Sequence, residues 1–144
     1  MEDGTVGGPA AMARRLCAAT NDHDLPGLVA CFAPGYRNLT PAHPARGFTG
    51  REQVQRNWEQ IFAAVPDLHA ELLSSAVDGD TVWTEWEHRG TRPDGSPHLM
   101  RGVVIFGVAD GLADWARFYL EPVQENGEDA GAAVRRQVGG DGPS

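Results

Sequence analysis

The chain of 144 residues contains no lysine, since all twelve of its basic residues are arginines. Schiff-base catalysis and the Walker-type phosphate-binding loop both need a lysine, so the sequence excludes both. Positive charge is scarce as well, because twenty acidic residues give a net charge of −8. Phosphate groups bind to clustered positive charge, so we expect neither nucleic acid nor an anionic membrane as a partner.

The sequence also lacks an apolar run of about 18 residues, the length that a membrane-spanning helix needs. Its two cysteines, Cys17 and Cys31, lie in apolar helical stretches without a preceding secretory pattern, which predicts buried free thiols. Four histidines lie outside the strand 81–91, and none has metal-ligand spacing: His23, His43, His69 and His98. We therefore predict no metal site and no cofactor. We expect a soluble, cytoplasmic protein.

Composition divides the chain into three parts. Residues 1–8 are rich in glycine and predict a flexible leader. Residues 124–144 combine glycine and charge with little apolar content, which predicts a disordered tail. Residues 9–123 remain, and their number fits a single domain with its own core.

Three helices are predicted in the first half of this domain. Pro9 begins the first helix, and Asp24 caps a short second helix that extends to Phe32. Thr49 and Glu52 predict a capping box at the start of the third helix. The apolar residues of this third helix repeat at helical spacing: Val54, Trp58, Ile61 and Phe62.

Beyond residue 68 the apolar period becomes that of a strand. It predicts four strands: 69–77, 81–91, 98–108 and 112–123. The turn sequences DGD, RPDG and ADG separate them, as between neighbouring antiparallel strands. Helices followed by a meandering sheet predict an α+β fold with helices on one sheet face.

Successive side chains of a strand point to opposite faces, so only one set per strand can line a cavity. In the third and fourth strands the inward sets are apolar: Met100, Gly102, Val104 and Phe106, and Ala116, Phe118 and Leu120. The strand 81–91 offers two half-polar sets: Trp83, Glu85, Glu87 and Arg89, or Val82, Thr84, Trp86 and His88.

In order and spacing, three stretches resemble the SnoaL-like (polyketide cyclase-like) branch of the nuclear transport factor 2-like superfamily: NDHDLPGLVACFAP, GFTGREQVQRNWEQIFAAVPDL and ADGLADWARFYLEP. The resemblance implies a cone-shaped, mainly antiparallel sheet wrapped around three N-terminal helices, as in a cystatin-like α+β barrel. It also implies a pocket for a small apolar ligand and, commonly, a homodimer through the outer sheet face. The resemblance does not fix a reaction.

A resemblance to limonene epoxide hydrolases implies that Trp83 and its set face inward. An acid of those enzymes aligns with Glu87, their arginine with Glu85, and their second acid with Phe118, while their water-binding Tyr-x-Asn pattern aligns with "YRN". Because Glu85 stands in place of the arginine and Phe118 in place of the second acid, the catalytic triad of the hydrolases cannot be assembled here as in that family. The reverse facing, with His88 as the catalyst and Trp86 as a pocket wall, stays open.

Ketosteroid isomerases resemble the chain less closely. The position of their base aligns with Asn38, and that of an acidic oxyanion donor with Val104. The resemblance therefore does not imply steroid isomerisation by their mechanism.

These expectations define a candidate site. Its catalytic residues are Glu85 and Glu87 as acid and base, with Tyr36 and Asn38 positioning water or a substrate oxygen. Its substrate-binding residues are Trp58, Phe62, Trp83, Arg89, Met100, Val104, Phe106 and Phe118. The predicted function is a cofactor-independent acid/base enzyme of the cyclase, isomerase or epoxide hydrolase type, acting on a small polyketide or terpenoid. The alternative is a non-catalytic binding or dimerisation module of the same fold.

Overall fold

A computed structural model describes residues 7–139, so most of the predicted leader lies outside the described residues. The helices within them are α1 (Pro9–Asn21), α2 (Leu25–Val29), α3 (Arg51–Ala64) and α4 (Ala130–Gln137). The strands are β1 (Phe32–Leu39), β2 (Phe48–Thr49), β3 (His69–Asp78), β4 (Thr81–Thr91), β5 (Pro97–Ala109) and β6 (Leu112–Pro122). The predicted α+β class is confirmed, and the four predicted strands are found with their ends shifted by at most one residue.

The six strands form one mixed, curved sheet in the order β2-β1-β6-β5-β4-β3. Strands β3 to β6 are antiparallel neighbours along the chain, whereas β1 pairs in parallel with β6. Helix α1 packs against β3, β4, β5 and β6, and α3 packs against β1. The most deeply buried large side chains lie between the helices and the sheet: Met12, Leu28, Tyr36, Val82, Val104 and Phe106.

The second helix is shorter than predicted. Its cap is formed as expected, because the carboxylate of Asp24 accepts the N–H of Gly27 at 3.0 Å. The helix nevertheless ends at Val29, and Phe32 is the first residue of β1. Phe32 is buried in the core from the strand, edge-to-face with Tyr36, at a ring distance of 4.7 Å.

The predicted capping box of the third helix is wrong. Thr49 belongs to β2, where it pairs with Arg37, and Gly50 is the residue that precedes α3. Gly50 has a φ of 100° and donates its N–H to the carbonyl of Tyr36 at 2.7 Å. The backbone of β1 therefore fixes where this helix begins.

Strand β4 faces the opposite way to the prediction. Its buried residues are Glu87 and one complete alternating set, Val82, Thr84, Trp86 and His88, whereas Trp83 is 48% exposed. Val82 lies directly opposite Phe106 of β5, and directly opposite residues of antiparallel strands share a face. The buried set of β4 therefore faces inward with the apolar set of β5.

The polar groups of this inward set are hydrogen-bonded. The indole N–H of Trp86 donates to Oγ1 of Thr84 at 2.7 Å, and that hydroxyl donates to the carbonyl of Val104 at 2.6 Å. The hydroxyl of Thr84 and the indole N–H of Trp86 are therefore both hydrogen-bonded, although the two side chains are buried.

The predicted inward positions of Trp83, Glu85, Glu87 and Arg89 are consequently wrong. Glu87 is buried, but on the outer face, where its carboxylate pairs with Arg89 and with Nε of Arg101, the latter at 3.0 Å. Arg101 is the residue directly opposite Glu87 on β5, so the two form a cross-strand ion pair.

The tail is also partly ordered. The carboxylate of Asp129 accepts the N–H of Ala132 at 3.0 Å and caps α4, and Arg136 pairs with Glu128. The predicted disorder is therefore not found over 130–137, whereas 140–144 lie outside the described residues. No helix in the described part of the chain is long and apolar enough to cross a membrane.

Candidate active site

A cavity of about 330 Å³ lies between α3 and the concave face of the sheet. Its apolar lining comes from both layers: Phe32, Trp58, Ile61, Met100, Phe118 and Leu120. A second void of about 30 Å³ shares part of this lining and extends between Leu16, Trp86, Val104 and Phe106. A mostly apolar cavity with a few polar groups is typical of a small-molecule site.

Strand β1 and the residue after it contribute a row of neutral polar groups to the cavity lining: Tyr36 and Asn38 in the strand and Thr40 just beyond its end. The hydroxyl of Tyr36 donates to Oδ1 of Asn38 at 2.8 Å, and Nδ2 of Asn38 donates to Oγ1 of Thr40 at 3.4 Å. Burial raises the pKa of the Tyr36 hydroxyl, so this group stays protonated. Because the Tyr36 hydroxyl donates to Oδ1 of Asn38 and Thr40 accepts one amide N–H, the second N–H of the Asn38 amide can bind a ligand oxygen.

His88 is, like Tyr36, a buried titratable group of the cavity lining, with 9% of its surface exposed. Its ring centre lies 5.7 Å from that of Trp86 and 6.1 Å from that of Trp58. Burial, together with the charge of nearby His98, lowers the pKa of His88 to about 4, so the ring is neutral at pH 7. No hydrogen bond to either of its ring nitrogens is made by any group within residues 7–139, which leaves both for a ligand.

The mouth of the cavity is more polar than its interior. Its lining includes His98, Arg46 and Glu121. Oε2 of Glu121 lies 3.8 Å from Nη1 of Arg46 and 3.5 Å from Nε2 of His43. These contacts connect the loop between β1 and β2 with the end of β6. In the described part of the chain, no group of three or more His, Cys, Asp or Glu residues could hold a metal ion.

The structure brings together seven of the predicted site residues. The main cavity is lined by Tyr36, Asn38, Trp58, Met100 and Phe118, and the smaller void by Val104 and Phe106. Phe62 instead packs behind the lining, stacked on His23 at 4.5 Å and tilted against Trp58 at 5.5 Å. Trp83, Glu85, Glu87 and Arg89 lie on the other face of the sheet, away from this cavity.

Several lining residues were missed by sequence reasoning. Thr40 lies one residue beyond the end of β1, and Nδ2 of Asn38 donates to its hydroxyl at 3.4 Å. Arg46 and Glu121 come from a loop and a strand end, whose meeting no local pattern predicts. His88 was predicted only as the alternative catalyst, for the case that Glu85 and Glu87 face outward.

The buried imidazole makes stability depend on pH. Its pKa is about 4 in the folded chain, against an ordinary value of 6.5, so between these values the unfolded chain binds a proton that the folded chain does not. The free energy of unfolding should therefore fall by about 3 kcal/mol as the pH drops through this window. Above pH 6.5, His88 is neutral in both the folded and the unfolded chain and contributes no pH dependence to the free energy of unfolding.

Urea unfolding of the wild type and of His88→Gln at pH 7 and pH 4 measures this effect. The glutamine variant keeps every other titrating group, so it should lose less stability on acidification than the wild type, by about 3 kcal/mol. Equal losses for the two proteins would show that His88 is not buried in its neutral form.

The model of the SnoaL-like domain family matches residues 13–118. No curated protein matches the chain. Solved structures share its fold, among them a protein with a ketosteroid isomerase-like fold from Catenulispora acidiphila in complex with trimethylamine. That structure has a TM-score of 0.66 and 18% identity, over 78% of this chain and 87% of that one.

A loop-truncation variant of IdmH has a TM-score of 0.68 and 26% identity, over 78% of this chain and 92% of that one. A SnoaL-like protein of unknown function from Burkholderia thailandensis has a TM-score of 0.61 and 23% identity, over 86% of this chain and 99% of that one. With the family match over most of the domain, the chain belongs to the SnoaL-like domain family and has the nuclear transport factor 2-like fold.

Proposed function

We propose that this chain is a cofactor-independent acid/base enzyme that acts on a small apolar metabolite, such as a polyketide or terpenoid, with His88 as the proton-transfer group. The main support is the neutral imidazole, whose two ring nitrogens have no partner among residues 7–139, in an apolar cavity of about 330 Å³. A neutral imidazole offers one basic nitrogen and one N–H donor at the same time. Both are useful for moving a proton at a substrate carbon.

In this proposal the basic nitrogen of His88 takes a proton from a carbon beside a substrate carbonyl. The Asn38 amide donates a hydrogen bond to the carbonyl oxygen, which becomes the enolate oxygen. In an isomerisation the imidazolium returns the proton to another carbon. In a cyclisation the enolate carbon attacks a second carbonyl carbon, and the imidazolium protonates the resulting alkoxide. Either sequence restores neutral His88.

The reaction type follows from which acids are near. Among the described residues, Glu121 at the mouth is the one carboxylate in the cavity lining. Epoxide hydrolysis of the hydrolase type uses two acids around a bound water, so this lining favours isomerisation or cyclisation over it. A pKa near 4 makes His88 a weak base in the empty cavity, and the negative charge of an enolate beside it stabilises the imidazolium.

Deuterium exchange into a simple ketone tests the proposal, because the proton-transfer step does not require the natural substrate. In D₂O the wild type should speed the exchange of the protons beside the carbonyl of menthone, a small branched cyclic ketone. The enzyme-dependent rate should fall at least about 100-fold in His88→Gln, because the variant has no basic nitrogen. Glu85→Gln is the matched control, since it changes an exposed carboxylate on the outer face of the same strand.

An unchanged rate in His88→Gln, with the variant folded, would refute the assignment of His88. Binding of menthone with no exchange above the buffer rate would favour the alternative function, a non-catalytic binding module.

We also propose that a second copy of the chain covers the outer sheet face. Large side chains are exposed there, among them Trp83 at 48% and Tyr119 at 41%, and Arg117 lies over the ring of Trp115 at 4.6 Å. Exposed aromatic residues are enriched at protein interfaces. Sedimentation velocity over a range of protein concentrations measures this association.

A further inference from the structure

We propose that the cavity selects a neutral molecule of one or two rings with an oxygen function, and that the void beside Val104 selects for a methyl-sized branch on it. This inference deepens the proposed function and rests on it for the role of the oxygen, whereas the size, charge and branch selection rest on the cavity itself. Three properties of the cavity support it.

The first property is volume. Small-molecule sites have volumes of about 300 to 1,000 Å³, so a cavity of about 330 Å³ lies at the lower end of this range and favours a small ligand. One or two rings with short substituents have this size. A four-ring skeleton is too large to enter without leaving much of its apolar surface in water.

The second property is charge. The charged side chains of the lining are Arg46 and Glu121, and they face one another at the mouth, 3.8 Å apart. Deeper in the cavity His88 is neutral, and the row at the end of β1 consists of the Tyr36 hydroxyl, the Asn38 amide and the Thr40 hydroxyl. An ionised ligand would lose its water without gaining an opposite charge, so the interior favours a neutral one.

The third property is the shape of the inner end. The void of about 30 Å³ beside Val104 shares Phe32, Trp58 and Phe118 with the main cavity. It is large enough for one methyl-sized group. Of the polar side chains around it, Oγ1 of Thr20 and Nε1 of Trp86 are hydrogen-bonded to Leu16 and Thr84, and His88 is neutral. A branch that fills this void gains apolar contacts, and one methylene in such a pocket changes affinity by at least about 10-fold.

Isothermal titration calorimetry with three pairs of probes tests these properties. For size, progesterone should bind at least about 100-fold more weakly than menthone. For charge, 4-isopropylbenzoate should bind at least about 10-fold more weakly than 4-isopropylbenzaldehyde, which has the same skeleton without the charge. For shape, menthone should bind about 10-fold more tightly than cyclodecanone, its unbranched isomer.

A variant tests the void directly. Val104→Ile adds one methylene at its edge, so it should abolish the preference for menthone over cyclodecanone and leave the affinity for cyclodecanone within about 3-fold. Val104→Ala is the matched variant that enlarges the void instead, and it should keep the preference for the branched isomer. It also provides the test if the isoleucine variant does not fold.

Equal affinities for progesterone and menthone, or for the acid and the aldehyde, would overturn the proposed selection. So would failure of every probe to bind, or a branch preference that survives Val104→Ile. These outcomes are separate from those of the exchange experiment. Selective binding without deuterium exchange would refute the proposed acid/base function and support the proposed ligand selectivity. Deuterium exchange without selective binding would support the function and refute the selectivity.

Discussion

Replacing Trp86 by alanine is expected to lower the free energy of unfolding by about 3 to 5 kcal/mol. Trp86 is 3% exposed, and its indole closes the inner void and lies edge-to-face against His88. The substitution removes this packing and also takes away the N–H that donates to Oγ1 of Thr84 at 2.7 Å. Urea unfolding at pH 7 measures the loss.

Trp83→Ala is the matched control on the same strand. Trp83 is 48% exposed, so in dilute protein its replacement should cost less than about 1 kcal/mol. If a second copy covers the outer face, the Trp83 loss grows with protein concentration, whereas the Trp86 loss does not. A larger loss for Trp83 than for Trp86 in dilute protein would mean that β4 faces the other way.

Gly102→Ala should be equally damaging, with an expected loss of about 4 kcal/mol or an unfolded protein. Gly102 lies in β5 with a φ of 151°, a conformation that other residues rarely adopt. An added Cβ would lie 2.8 Å from Cα of Leu120 and closer still to the carbonyl oxygen of Tyr119. These are backbone atoms of β6, so the clash is relieved only if the two strands separate.

Gly35→Ala in β1 is the control for this substitution. A Cβ at Gly35 meets no atom within 4 Å, and the change should alter the free energy of unfolding by less than about 1 kcal/mol. Circular dichroism and urea unfolding compare the two variants. A Gly102→Ala protein as stable as Gly35→Ala would contradict the close approach of β5 and β6.

The elements of the fold were predictable because their signals are local. Alternating apolar residues and the turn sequences between them placed β3 to β6 to within one residue. The errors lie where tertiary contacts decide. Phe32 continues the apolar period of α2 but enters β1 to pack against Tyr36, and Thr49 is drawn into β2 by pairing with Arg37.

The facing of β4 was predicted from the resemblance to limonene epoxide hydrolases and not from the pairing of β4 with β5. Thr91 pairs with Pro97, so five residues separate the paired positions of the two strands, and Val82 lies opposite Phe106. An even number of residues instead of an odd one would exchange the faces of every side chain in β4 relative to β5. The two sets of β4 are each half polar, so hydrophobicity could not correct the error.

The candidate site was predicted in part. Tyr36 and Asn38 were predicted from the Tyr-x-Asn pattern that the chain shares with those hydrolases, and both line the cavity. The choice between Glu87 and His88 depended on the facing of β4, and the structure turns His88 rather than Glu87 toward the cavity. The carboxylate of Glu87 is held on the outer face by Arg89 and Arg101, a pairing between strands that a single strand pattern does not reveal.

The parallel pairing of β1 with β6 affects the order in which the domain folds. Strands β3 to β6 are neighbours along the chain and can form as successive hairpins, whereas β1 must find a strand from the far end of the domain. Such distant pairings form late because they close a long loop. The cavity, which needs residues of β1, is then incomplete in the folding transition state. A bound molecule should therefore slow the unfolding of the domain and leave its folding rate nearly unchanged.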